Sequence, residues 1–205
     1  MRATLLAWIR RTSSKRWWAA KLAKRFPVVD VIREDRHVNG GLTQPGCQTI
    51  ILHRIATWSD TDEAPRGLRT VLQKTSRLGL RMSKAFYGIE LPAAVTVGRR
   101  VRIVHQGGIV IHPSVVIEDD VLIRQNVTIG LRGDNDKAEP HAVPIVRRGA
   151  SFGAGAVAVG PIEIGEDAVV GANAVVTQDV PPYGKAMAPR AEVRASRPEL
   201  RRVHP

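Results

Sequence analysis

Cysteine is nearly absent from this chain of 205 residues, which contains Cys47 alone. A single thiol cannot form an intramolecular disulfide, and it has no second cysteine with which to bind a metal ion. We therefore expect Cys47 to be a packing residue, in a pattern that fits a reducing compartment.

Long hydrophobic runs and an amino-terminal acidic charge are also missing. No stretch approaches the roughly 20 apolar residues of a membrane span, and no apolar segment precedes a small-residue cleavage site, so we expect a cytoplasmic protein. Residues 1–26 carry eight Lys or Arg and no acid, interleaved with Trp8, Trp17 and Trp18. Three interpretations stay open for such a segment: it lies on an anionic membrane face, contacts an anionic polymer, or is solvated and partly disordered. We expect peripheral contact of residues 1–26 with the inner face of the membrane as one possibility. We do not expect a nucleic-acid partner.

A six-residue repeat of apolar positions begins near residue 89, and "VRIVHQGGIVIHPSVVIEDDVLIRQNVTIG" (101–130) shows it clearly. Six is too short for a helical repeat, whereas short strands that alternate sides and then turn a corner account for it. Three such units make a triangular coil, and stacked coils pair their strands in parallel around a buried column of Val and Ile. An antiparallel sandwich would need hairpin signals every 8–12 residues and would not keep a constant phase.

The repeat is interrupted twice. Two residues are added around His105–Gly108, and a polar segment rich in turn-forming residues separates Ile129 from Ala150. The second interruption predicts a projecting loop over residues 131–144. Since solenoids place their function on such insertions, we expect the active residues there.

Three regions are predicted along the chain. Residues 1–86 form a helical region, with apolar spacing that indicates one helix around Ile51–Trp58 and another around Leu68–Phe86, the latter opened by Pro65. Residues 87–180 form the coil. Residues 181–205 are too rich in proline to continue the coil and should run back along it as an extended tail.

The motifs exclude several kinds of catalysis. There is no nucleophile elbow, no phosphate-binding glycine loop and no metal-ligand cluster. Instead, His105 stands at the first interruption and His141 inside the second. An imidazole placed off the regular ladder can serve as a general base near neutral pH. We interpret His53, His112 and His204 as structural.

A family resemblance adds to this picture. The motifs "GIELPAA", "TIG", a looped-out histidine, "GAGA" and "DVPP" follow one another over Gly88 to Val193, and "REDRH" and "ILHRIATW" echo a helical domain. In this order they resemble the serine acetyltransferase family, in particular its colanic-acid-type polysaccharide acetyltransferases. The resemblance implies an α+β protein with a C-terminal left-handed parallel β-helix and an N-terminal helical cap. It also implies acetyl-CoA as co-substrate, no metal, and a homotrimer with active sites between subunits.

The resemblance also implies roles for individual residues. His105 matches the base that removes the acceptor's hydroxyl proton, and Glu90 matches the carboxylate that orients it, where serine enzymes carry aspartate. His141 matches the second active-site histidine, contributed by the neighbouring chain. Backbone N–H groups around Gly130 and Leu131 match those that face the thioester oxygen.

Acetyl-CoA is expected in a groove between neighbouring coils. Its pantetheine amides would meet backbone groups near Ala154, Gly155 and Ala172, where small residues permit a close approach. Lys185 and Arg190 are candidates for the CoA phosphates. Because nothing resembles an acyl-carrying Ser or Cys, we expect direct attack of the hydroxyl on the thioester.

The acceptor is predicted from two positions. Serine enzymes hold their zwitterionic substrate with an aspartate and an arginine, at places occupied here by Val104 and Pro140. At such a site the ammonium and carboxylate groups of serine would lose their water without gaining a partner, which would cost several kcal/mol. The uncharged hydroxyl of a sugar, in exopolysaccharide or capsule synthesis, therefore fits better. The alternatives are serine O-acetylation for cysteine synthesis and a catalytically inactive trimeric scaffold.

Overall fold

The computed structural model describes residues 28–133 and 142–193. The features predicted on residues 1–26 and at His141 lie outside these ranges. Three α-helices and a π-helical turn come first: α1 (Val28–Val38), α2 (Pro45–Ser59), α3 (Arg66–Met82) and Ser83–Tyr87. Both predicted helices are therefore present.

Two prolines mark where helices α2 and α3 begin, and one glycine lets these helices pack closely. Pro45 stands in the first turn of α2, where its missing N–H needs no partner. Pro65 instead precedes α3 as an extended N-cap residue, with φ −56° and ψ 126°. Gly79 lets α3 approach α2, since a Cβ there would lie 2.6 Å from a methyl carbon of Leu52.

Short strands build the rest of the described chain. They are β1 (Ile89–Glu90), β2 (Thr96–Val97), β3 (Arg102–Val104), β4 (Ile109–Ile111), β5 (Val116–Ile117), β6 (Leu122–Arg124), β7 (Thr128–Gly130), β8 (Ile145–Val146), β9 (Ser151–Phe152), β10 (Val157–Val159), β11 (Glu163–Ile164), β12 (Val169–Val170), β13 (Val175–Val176) and β14 (Lys185–Ala186).

The strands form three parallel sheets, one for each side of a triangular solenoid. We name them sheet A (β1-β4-β7-β10-β13), sheet B (β2-β5-β8-β11) and sheet C (β3-β6-β9-β12-β14). Each coil contributes one strand to each sheet, and four coils are complete. This confirms the predicted left-handed parallel β-helix with a helical cap.

The strand register confirms both interruptions of the repeat. Val146 pairs with Ile164, eighteen positions on, as three six-residue units require. Ile103 pairs with Ile123, twenty positions on, because of the two residues added at the His105 corner. Ile123 pairs with Phe152, twenty-nine positions on, because additional residues stand between β7 and β8.

Apolar residues fill the interior in columns. Ile103, Ile123, Phe152 and Val170 stack along sheet C, and each is at most 5% exposed. Because every buried side chain rests on its partner in the next coil, the alternation of apolar and polar residues is enough to specify this core.

Polar side chains of the cap bind the open edge of the first coil. Arg54 on α2 donates to the Val97 carbonyl at 2.6 Å and to the Gly98 carbonyl, and pairs with the fully buried Asp35 at 2.7 Å. Asn39 donates to the Val101 carbonyl and accepts from the backbone N–H of Ile103, both at 2.9 Å. These contacts replace the strand that would precede the first coil.

The described chain after Val180 adds to the stack beyond the fourth coil, contrary to the prediction that its prolines would make it run back along the coil. Val180 forms a single bridge with Ile164, and β14 pairs with β12, so the chain after Val180 still lies against the last coil. The predicted boundaries at residues 86 and 180 stay predictions.

Candidate active site

His105 occupies a corner directly after β3. Its backbone is in the left-handed region, with φ +64°, and its side chain is exposed. Gly107 and Gly108 continue the turn, with φ +103° and +65°, before β4 begins. A Cβ on Gly88 in the preceding coil would lie 3.1 Å from Gly107 Cα. The "HQGG" segment therefore combines an outward imidazole with a turn that packs tightly on β1.

The corners between sheet C and sheet A stack into one column, which we call the corner column. Its members are His105–Gly108, Gln125–Asn126, Ala154–Gly155 and Ala172–Asn173. Backbone bonds join successive corners: Asn126 N to Gly107 O (2.8 Å), Gly155 N to Gln125 O (3.0 Å) and Asn173 N to Ala154 O (2.9 Å). The residue predicted as base and three residues predicted to contact CoA thus share one edge of the solenoid.

Glycine and alanine keep the corner column narrow. At Gly108 and Gly155, a Cβ would collide with the side-chain oxygens of Asn126 and Asn173 respectively. The column spans about 15 Å from the first to the fourth coil at the usual strand spacing. A backbone-lined edge of this length suits an extended ligand with amide groups.

Gly130 and Leu131 lie on the other side of sheet A. Gly130 ends β7, is buried, and accepts a hydrogen bond from Gly160 N at 3.0 Å. Leu131 is half-buried against the core where the projecting loop leaves the solenoid. His112 adjoins this point, since a Cβ on Gly130 would lie 3.4 Å from its Cβ. His112 Nδ1 accepts from Ser114 N at 3.2 Å, which agrees with a structural role in a turn.

Glu90 ends β1 and pairs in register with Val110. Its carboxylate accepts a hydrogen bond from Lys84 Nζ at 2.7 Å, and both side chains are partly exposed. No hydrogen bond joins Glu90 to His105 among the described residues. The orienting role of Glu90 stays a prediction, and Lys84 is a neighbour that the sequence did not reveal.

Lys185 and Arg190 lie beyond the fourth coil. Lys185 is an exposed residue of β14, paired in register with Val169. Ala186 accepts from Gly171 N at 2.7 Å, so this strand continues the stack next to Ala172. Arg190 follows in an exposed extended segment. Lys185 is thus near the far end of the corner column, opposite His105, while nothing among the described residues fixes Arg190 against the column.

A second concave region lies between the cap and the first coil. It is a cavity of about 280 Å³ whose lining includes His53, Arg54, Trp58, Ala93 and Thr96, and none of the predicted site residues. His53 is 1% exposed, and its Nε2 donates to the Val95 carbonyl at 3.0 Å. Burial, with the neighbouring Arg54 charge, lowers the pKa of His53 to about 3, so the ring is neutral.

Residues 28–133 and 142–193 contain no group of three His, Cys, Asp or Glu side chains arranged to hold a metal ion. None of the helices within these ranges is long and apolar enough to cross a bilayer.

No family model matches the sequence. Among curated proteins, it is 32% identical over 162 residues to a putative colanic acid biosynthesis acetyltransferase, WcaB, of Escherichia coli K12, covering 78% of this chain and 97% of that protein. It is 35% identical over 152 residues to the serine acetyltransferase of Salmonella typhimurium, covering 74% of this chain and 52% of that one. The chain thus spans about half the length of that serine acetyltransferase.

Solved structures agree with these relatives. The serine acetyltransferase of Vibrio cholerae superposes with a TM-score of 0.57 at 31% identity, over 69% of this chain and 50% of that one. A serine acetyltransferase in complex with CoA gives 0.60 at 26% identity, over 78% and 67%. The chain belongs to the serine acetyltransferase family of hexapeptide-repeat acetyltransferases.

Proposed function

We propose that this protein is an acetyl-CoA-dependent O-acetyltransferase that acetylates a sugar hydroxyl in exopolysaccharide or capsule synthesis. The corner column is the observation that carries this proposal, because it aligns His105 with a narrow, backbone-lined edge suited to a pantetheine arm. The relative named for colanic acid biosynthesis, matched over nearly its whole length, supports a sugar acceptor.

The reaction would be a single transfer. The acceptor oxygen attacks the thioester carbonyl carbon while its proton passes to the His105 imidazole. Backbone N–H groups around Gly130 and Leu131 of the neighbouring chain would stabilise the negative charge on the carbonyl oxygen, because within one chain they lie across sheet A from His105. Cleavage of the carbon–sulfur bond then gives the acetyl ester and the CoA thiolate, which takes up the proton.

We propose a homotrimer in which each site is shared by two chains. His105 precedes sheet A and the projecting loop leaves after it, so one strand of three residues, about 10 Å, separates them within a chain. The outward face of sheet A carries Val110 and Val175, exposed by 43% and 68%, in the same row as Glu90 and Thr128. A rotational contact through this face would bring the loop of one chain, carrying His141, towards His105 of another.

Complementation between two inactive variants tests this arrangement. His105→Ala and His141→Ala should each be inactive alone, whereas each mixed trimer should regain one active site of its three. Subunits are mixed by co-expression with two different tags, and doubly tagged trimers are assayed by CoA release. If mixed trimers stay inactive while each variant remains trimeric, sites shared between chains are ruled out.

The acceptor is tested by comparing CoA release with nucleotide sugars, oligosaccharides and L-serine. We expect turnover with a saccharide and little with serine, because Val104 is an apolar residue of β3 beside the base. His105→Ala should lower kcat on the order of 100-fold or more. His37→Ala, which removes an exposed histidine of α1, is the matched control and should leave kcat unchanged.

Serine O-acetylation is the second candidate function, favoured by 35% identity to a protein of that name. Turnover of L-serine with no saccharide activity would establish it in place of sugar transfer. A protein that binds acetyl-CoA without transferring acetyl to any acceptor, and that is unaffected by His105→Ala, would be a scaffold.

A further inference from the structure

Helix α3 presents an apolar face that nothing in the described structure covers. Its members recur at helical spacing and are each about half exposed: Leu68 (56%), Val71 (57%), Leu78 (56%) and Met82 (45%). We call these four residues the α3 stripe. Phe86, four residues further on in the π-helical turn, is 73% exposed. The stripe runs for about 21 Å along the helix.

The stripe is distinct from the face that packs on α2. Ser76 and Gly79 lie on the packed face, where Ser76 is 2% exposed and Gly79 meets Leu52. Leu78 and Met82 lie on the adjoining face and remain in solvent. The apolar positions that predicted this helix are therefore not, for the most part, its core contacts.

The charge on α3 is of one sign. The helix contains five basic residues and no acidic one: Arg66, Arg69, Lys74, Arg77 and Arg81. Lys74 is four positions before Leu78 and Arg81 three positions after it, so both border the stripe on the helix surface. Neither makes an ion pair among the described residues, while Arg69 and Arg77 pair with Asp62 and Asp60.

We propose that the α3 stripe and its bordering cations dock on the anionic surface of a lipid bilayer. Apolar side chains would enter the headgroup region, and Lys74 and Arg81 would contact lipid phosphates, as in other basic amphipathic helices at membrane interfaces. A second copy of α3 fits less well, because a pair of these stripes would bring Lys74 and Arg81 of one copy against the same cations of the other, with no acid on either helix. This surface is independent of the acceptor and of residues 1–26.

The test is flotation of the full-length protein with lipid vesicles. We expect binding to vesicles of phosphatidylglycerol and phosphatidylethanolamine, weak binding to phosphatidylcholine alone, and loss of binding at high salt. Leu78→Gln/Met82→Gln should lower the partition coefficient roughly tenfold, since two apolar side chains no longer leave water. Lys74→Gln/Arg81→Gln should lower it by a similar factor on anionic vesicles only.

A matched control uses Leu42→Gln/Arg33→Gln, which removes one exposed apolar residue and one exposed cation elsewhere on the cap. It should bind as the unmodified protein does. Circular dichroism melting checks that each variant folds, and light scattering gives its oligomeric state.

Three results would overturn the proposal. They are no binding by the unmodified protein, equal binding by the α3 variants, and a smaller oligomer for Leu78→Gln/Met82→Gln, which would make the stripe a contact between copies. Acetyl transfer to a soluble acceptor should be unchanged in these variants, so failure here leaves the proposed function untouched.

Discussion

The inner coils of the solenoid and its first coil differ in the partners that their backbone N–H and C=O groups find. An inner strand such as β6 pairs with a strand on each side, and the side chain that it turns into the solenoid is aliphatic. In the first coil, β2 and β3 have a strand on one side only. On the open side, Arg54, Asn39 and His53 bind the carbonyls of the first coil.

This difference determines which residues are replaceable. A repeated coil needs only the right pattern of apolar residues, because its polar groups are backbone and pair with the next coil. The capped edge needs particular side chains at particular places. Loss of one of them leaves a buried backbone group or a buried charge without a partner.

The largest effect is expected for Arg54→Met. Arg54 is 8% exposed and its partner Asp35 is fully buried, so the variant leaves a buried carboxylate without its cation, beside two carbonyls that lose the donor Arg54. We expect a loss of about 3–5 kcal/mol in the free energy of unfolding, from urea denaturation at fixed protein concentration.

Arg147→Met is the matched control on the solenoid. Arg147 also binds two carboxylates, Glu118 and Glu163, at 2.8 and 2.9 Å, but all three side chains are partly exposed. Its loss should cost about 1 kcal/mol or less. Equal losses for both variants would show that the capped edge is no more demanding than the outer face of the coils.

The same contrast explains how much the sequence predicted. The six-residue spacing predicted the solenoid, and its two irregularities predicted the His105 corner and the insertion between β7 and β8, because each is a local feature of the pattern; that the insertion projects as a loop stays a prediction. The Asp35–Arg54 pair was not predicted, since nothing local links two residues on different helices. The ion pair of Glu90 with Lys84 depends likewise on how the π-helical turn meets β1.

Helix α3 shows a second reason for incomplete prediction. The spacing of Leu68, Val71, Leu78 and Met82 predicted a helix with one apolar face, which is present. Periodicity does not say what covers that face, and in the structure it is exposed. The corner column, by contrast, follows from the register of the repeats, and with it the alignment of His105 with Ala154, Gly155 and Ala172.

A smaller effect, dependent on pH, is expected at His53. The folded pKa is lowered from 6.5 to about 3, so between these values the unfolded chain binds more protons than the folded one. Stability from the neutral ring is therefore complete above pH 6.5 and is lost as the pH falls towards 3. Between pH 7 and 5.5 the unmodified protein should lose about 1 kcal/mol more than His53→Gln, whose amide does not titrate.

The measurement is the difference in unfolding free energy between the two proteins across this pH range. Burial raises the pKa of the nearby Asp35, but that group is common to both and cancels in the difference. Parallel pH curves would contradict this prediction. They would mean that water reaches the His53 ring and the edge of the first coil to which it binds.

The smallest effect is expected at the corners of the inner coils. Asp167 is exposed, with φ +53°, a conformation that glycine adopts freely and that aspartate tolerates. Asp167→Gly should therefore change the free energy of unfolding by about 0.5 kcal/mol or less, because lower strain in the folded corner offsets the greater entropy of the unfolded chain. Asp167→Val should lose about 1–2 kcal/mol, since a β-branched residue is strained there. A loss of several kcal/mol for Asp167→Gly would mean that inner corners, like the capped edge, depend on one particular side chain.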